Sequence, residues 1–165
     1  MFRLAPTLLL LVALTLCQTV RAEEPRLSTG QTLYVPVYSH ILHGNLDSDG
    51  IPSKLLLSSM LSIRNINAKH HLTITGVRYY DTSGKLLTNY LKEPVTLAPM
   101  GSLEYFVEHR ERRGGPGANF VVDWKAPLAV NPPITESVNA YFFGNHTLAF
   151  SSRGEEILPV PETTP

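Results

Sequence analysis

The sequence predicts an all-β domain: an immunoglobulin-like antiparallel β-sandwich of about eight strands, following a cleaved signal peptide. Three observations carry the prediction. Apolar and polar residues alternate over short runs, the period of a strand with one face buried. The runs are separated by clusters of Gly, Pro, Asn and Asp, which are turn chemistry. Beyond the N-terminal leader, no stretch repeats its apolar residues at the helical period. Strands with one face in and one face out bury that face by pairing into two packed sheets.

The leader comes first in the chain. "MFRLAPTLLLLVALTLCQTVRAEEP" places Arg3 before an apolar run from Leu8 to Cys17 and then Val20-Arg21-Ala22, close to the small-x-small site of a secretory signal. The run is too short to span a bilayer, so the mature chain is expected to have no transmembrane helix. Cleavage after Ala22 is the reading adopted. The rival reading is a lipoprotein acylated at Cys17, but Leu16 stands where such a site has a small residue. The expected organisation is a signal peptide at 1–22, a linker at 23–29, a sandwich at 30–157 and a disordered tail at 158–165, since "LPVPETTP" offers little to bury.

Cys17 is the single cysteine. A chain cut after Ala22 therefore has no disulfide, no thiolate nucleophile and no cysteine metal site. Export without disulfides points to the bacterial periplasm, or to secretion. Loss of Arg3 and Arg21 turns the balance of 14 basic and 14 acidic residues into a net charge of about −2. Nucleic acid is not an expected partner, because the electrostatic footprint is missing. Roughly 140 residues make one domain with a core of its own.

The expected strands run from Thr32 to Leu42, Leu55 to Asn65, Leu72 to Asp81, Lys85 to Leu91, Ser102 to Glu108, Asn119 to Lys125, Ser137 to Phe143 and Thr147 to Ser152. Alternation puts Leu61, Ile63, Leu103, Tyr105, Val107, Phe120, Val122 and Trp124 inside, with Arg64, Glu104 and Asp123 outside. In "LTITGVRYYD" the apolar phase shifts at Gly76, which marks a β-bulge, and Tyr79 falls inside with Tyr80 outside. Hairpins are expected at Asn65 to Lys69 and at Asp81 to Gly84. Pro36 has no N–H for a ladder, so its strand is expected at a sheet edge. "APLAVNPPI" is expected to be a loop that changes sheets.

The segments "GQTLYVPVYSHI", "LSIRN", "ITGVRYYDTSGKLL", "YLKEPVTLAPMGSLEYFVE", "GGPGANFVVDWKA" and "NPPITESV", taken in order, resemble the bacterial family known as Domain of Unknown Function 3124. The resemblance runs from about Gly30 to Gly154 and implies a small exported bacterial protein. It brings no activity with it.

Of the motifs, "RRGGPGANFVVDW" comes nearest to a functional site. A phosphate-binding loop turns from a strand into a helix, whereas Gly114, Gly115 and Gly117 lead into a strand, so that mechanism does not apply. Two readings remain. One is a flexible hairpin connection whose glycines take positive φ. The other is a mobile clamp for an anionic group, made of Arg110, Arg112, Arg113, Gly114, Gly115, Gly117 and Asn119. Histidines suggest an alternative, a metal-binding or hydrolytic protein using His40, His43 and His109. Spacings of three (His40, His43) and one (His70, His71) prevent either pair from chelating out of regular strand, so partners from distant segments are required. No Gly-x-Ser-x-Gly elbow, His-Glu-x-x-His helix or dinucleotide fingerprint occurs, and no cofactor is expected. The expected function is that of a non-enzymatic periplasmic module binding an envelope protein, a glycan or an anionic ligand through loops at one end.

Overall fold

The computed structural model describes residues 26–158. The expected signal peptide, Cys17, the expected cleavage site and most of the expected C-terminal tail lie outside the described residues. Twelve strands follow one another: β1 (Ser28–Pro36), β2 (His40–Leu46), β3 (Pro52–Leu56), β4 (Ser58–Arg64), β5 (Leu72–Tyr80), β6 (Leu86–Asn89), β7 (Val95–Leu97), β8 (Ser102–Val107), β9 (Asn119–Val130), β10 (Ile134–Phe143), β11 (His146–Arg153) and β12 (Glu155–Glu156). One sheet runs β12-β1-β9-β5-β6, with β7 also paired to β5; a second runs β11-β10-β4-β8; β2 and β3 form a separate hairpin. All pairings are antiparallel. Among the described residues, no helix is long and apolar enough to cross a membrane.

The alternation read from sequence is the packing observed for most positions; Leu103 and Tyr105 are only partly buried, and Ser62, which alternation places outside, is buried. Phe120, Val122 and Trp124 of β9 are buried with Ile74, Val77 and Tyr79 of β5, and they meet Leu61, Ile63 and Val107 of the second sheet. Gly76 sits at the register shift between β5 and β9, and a Cβ there would lie 2.5 Å from Asp123 Oδ2. The turn at Asp81 to Gly84 closes the β5–β6 hairpin, with Gly84 at φ +82° and the Asp81 carboxylate accepting from the Ser83 and Lys85 amides.

Five expectations are corrected. The run Thr32 to Leu42 is two strands, because at Val37 to Ser39 the chain leaves the first sheet; Leu55 to Asn65 is likewise divided, at Leu57. Asn65 to Lys69 is not a hairpin but a crossing between sheets. Asn65, 2% exposed, donates through Nδ2 to the carbonyls of His70 and Ala98, holding the crossing against the turn before β8. The strand of Pro36 is second from the edge; the two-residue β12 covers Leu33 and Tyr34 only, so beside Pro36 that side is unpaired. The change of sheet in "APLAVNPPI" is confined to residues 131–133, and Ala126 to Val130 continue β9.

The register places the connections at two ends. Tyr80 and Pro36 both pair with Asn119, Val107 pairs with Ser59, and Ser58 pairs with Ala140. Hence the β1–β2 crossing, the β2–β3 hairpin, the β5–β6 turn, the β8–β9 loop and the β10–β11 tip all emerge at the same end. The β1–β2 crossing is seated by Asn139, fully buried, whose Oδ1 accepts from Tyr38 N at 3.0 Å and Ser59 Oγ at 2.8 Å.

Candidate functional site

The β8–β9 loop carries the Arg/Gly motif and joins the two sheets, so it is not a hairpin connection. Nor does its geometry suit a mobile clamp, because it is bonded to two other segments, the β5–β6 turn and the β1–β2 crossing. Gly114 O accepts from Thr82 N at 2.9 Å, and Gly117 N donates to Thr82 Oγ1 at 3.0 Å. Gly115 N donates to Ser39 Oγ at 2.7 Å, while Gly115 O accepts from Ser39 N at 3.1 Å. Ala118 O accepts from Val37 N. The glycines are dictated by contact and by conformation. A side chain at Gly114 would collide with the Tyr79 hydroxyl, and Gly115 has φ +80°. Gly117 does not have positive φ.

Glu111 organises the arginine half of the loop. Its Oε1 accepts from Arg113 Nε at 2.8 Å and Arg113 N at 3.0 Å; its Oε2 accepts from Gly114 N and from Tyr79 Oη, both at 3.0 Å. Burial alone would raise the Glu111 pKa, but the bonds from Arg113, the Gly114 and Arg113 amides and Tyr79 hold it below the ordinary glutamate range. Tyr79 is pushed the other way, upward, by burial first and then by the Glu111 charge.

Of the three arginines, Arg113 is thus committed to Glu111, whereas Arg110 and Arg112 are exposed and, among the described residues, enter no ion pair. Arg112 lies between two clefts. One, of about 510 Å³, is lined by Tyr90, Phe106, Glu108 and the segment Arg110 to Arg113. The other, of about 350 Å³, is lined by His40, Lys54, Leu56 and Arg112. Burial, then the nearby Lys54 charge, lowers the pKa of His40 below that of a free imidazole. Asn119 is 9% exposed at the start of β9, between Pro36 and Tyr80; it belongs to the sheet and not to the cleft. A further cleft of about 550 Å³ involves Gln31, Thr32, Asp123, Trp124 and residues 156–158.

The structure does not gather the histidines. His40 and His43 belong to β2, and His43 is exposed. His109 lies beyond β8 with its ring 6.2 Å from that of Tyr141. Among the described residues, no group of three His, Cys, Asp or Glu side chains is placed to hold a metal.

Sequence reasoning singled out this loop but not the residues that hold it. Ser39, Thr82 and Glu111 fix the loop, and Lys54 lines a cleft together with Arg112. Ser39 and Thr82 lie in segments that carry the family resemblance, but no local pattern marks any of the four as a neighbour of the loop. The one usable signal was Glu111, an acidic residue between arginines.

Comparisons with known proteins bring a family and no activity. A family model described as "Protein of unknown function (DUF3124)" matches residues 30–157. No curated protein matches the chain. A solved structure of Thermotoga maritima protein 1070 is similar over 76% of this chain and 92% of that one, at 12% identity and a TM-score of 0.41.

Proposed function

The chain belongs to the family described as Protein of unknown function (DUF3124), and on that premise we propose that it is an exported, non-enzymatic binding module that takes an anionic ligand at the Arg112 end of the sandwich. One observation carries the reading: Arg112 lines both clefts of that end, beside Arg110 and Lys54, and none of the three has an acidic partner among the described residues. Cations held on a fixed scaffold without internal partners favour a carboxylate, phosphate or sulfate supplied from outside, since guanidinium groups form strong paired hydrogen bonds to such anions. The hydrogen bonds of Gly114, Gly115 and Gly117 support it further, because a preorganised loop loses little entropy on binding. An anionic envelope glycan or an acidic protein segment fits that chemistry.

Export is part of the proposal, supported by the leader, with cleavage after Ala22 and a soluble product in the periplasm or medium. Intact mass of the exported protein tests this half: a chain beginning at Glu23 agrees, and a lipid-modified chain beginning at Cys17 does not. Capture from periplasmic extract tests the other half. Wild type is expected to retain a component that an Arg110→Ser, Arg112→Ser variant of equal thermal stability does not.

A further inference from the structure

We infer that β11 is the pairing edge of a symmetric dimer, in which two copies of this chain join their β11 strands antiparallel. β11 ends the second sheet and pairs on one side only, with β10, over eight consecutive residues with no register shift. The turn between β10 and β11 has two residues, Gly144 and Asn145, with Gly144 at φ +55°. Such a turn makes Phe143 and His146 a hydrogen-bonded pair, after which bonded and non-bonded pairs alternate. Leu148, Phe150 and Ser152 therefore direct their backbone groups to β10, while Thr147, Ala149 and Ser151 direct theirs outward. Among the described residues, no hydrogen bond reaches those outward groups.

Exposed edges are normally blunted by lysine, proline, a bulge or short length. β11 reads HTLAFSSR and has none of these. Its sequence instead suits a copy of itself. A two-fold axis at Ala149 sets Ala149 against Ala149 and Thr147 against Ser151, so the outward groups form about six hydrogen bonds. The same register sets half-buried Leu148 against half-buried Phe150 on the inner face, and no charge meets a like charge. The other edge of this sheet, β8, is shorter and carries an exposed Glu104. An isologous contact closes on itself and leaves no edge on the β11 side for further growth.

The test is the association state of the purified protein, followed by cross-linking. Sedimentation equilibrium is expected to show a monomer–dimer equilibrium, and Ala149→Lys, which sets two ammonium groups face to face on the axis, is expected to weaken it roughly a hundredfold. The lysine lies on the exposed face, so the melting temperature of the dilute monomer should not move. Under mild oxidation Ala149→Cys should give a disulfide-linked dimer, since opposed bonded residues lie ~5.5 Å apart at Cα. Thr147→Cys should not, because its copy lies four residues away along the partner strand. Wild type, whose only cysteine is Cys17, is the control. A wild type that stays monomeric at every concentration overturns the proposal, as does a dimer that Ala149→Lys leaves intact. A dimer cross-linked by Thr147→Cys and not by Ala149→Cys overturns it equally.

Discussion

Tyr79, 1% exposed in the core of the first sheet, donates its hydroxyl to Glu111 Oε2 at 3.0 Å, and so ties the packed interior to the loop that carries the arginines. Tyr79→Phe keeps the ring, which packs against Phe120 at 5.1 Å between centroids, and removes only this bond. The expected cost is about 1.5–2 kcal/mol, the lower part of the range for a hydrogen bond to a charged group. Urea unfolding of the two proteins measures it, and equal midpoints would mean that the bond contributes nothing.

Glu111 also gives the loop a pH dependence. Its folded pKa is depressed, so its contribution is fully present above the ordinary glutamate pKa of about 4.3 and is lost as pH falls through the folded value. Stability measured from pH 6 downward should stay level for this group until roughly pH 4.5 and then decline. The decline should be smaller in Glu111→Gln, which is already weakened at pH 6. Parallel curves for the two proteins would assign the acid sensitivity elsewhere.

The glycines of the loop should differ from one another. Gly115→Val places a β-branched residue at φ +80° and against Thr82, and should cost about 2–3 kcal/mol. Gly114→Ala drives a methyl group into the Tyr79 hydroxyl and should destabilise comparably, with Tyr79→Phe partly relieving it. Gly117→Ala meets only Thr82, at 3.1 Å, and should be mildest. Thermal denaturation of the three variants gives the order directly.

Trp124→Ala should cost about 3–5 kcal/mol, as for other emptied aromatic sites. Its neighbour Asp123 faces outward, yet it is not an idle surface residue. It pairs with Arg78 Nη1 at 2.7 Å and accepts from Thr32 Oγ1 at 2.8 Å, across three adjacent strands. Asp123→Ala should therefore cost about 1 kcal/mol, discounted for the partial exposure of the pair. A denaturant titration that found Asp123→Ala neutral would show the three-strand bridge to be inert.

The sequence made the faces of the strands legible because alternation is a local property. Leu61 and Ile63, Phe120 and Trp124, and the bulge at Gly76 could all be read from neighbouring residues. Connectivity between sheets was not legible at "RNINAKHHL". A turn-like composition there serves a crossing just as well as a hairpin, and the deciding bond runs from Asn65 to Ala98, far along the chain. The split at Val37 to Ser39 was hidden for a similar reason, since the groups that redirect the chain, the buried Asn139 and the backbone at Gly115 and Ala118, lie about 80 to 100 residues away. Of the candidate site, charge and glycine marked the loop in the sequence, but which arginine is committed depends on Glu111, and Lys54 comes to the cleft from another strand.

The proposed anion site is tested most directly by titrating the protein with pyrophosphate at low salt and comparing wild type with Arg112→Ser, Lys54→Ser. Both side chains are exposed and unpaired among the described residues, so the melting temperature should barely change. Wild type should bind saturably and more weakly as salt rises, and the double variant should bind about ten to a hundred times more weakly, the loss expected for one or two charge-assisted hydrogen bonds. Equal binding by the two proteins, or no binding of pyrophosphate by wild type at low salt, would contradict an anion site at Arg112.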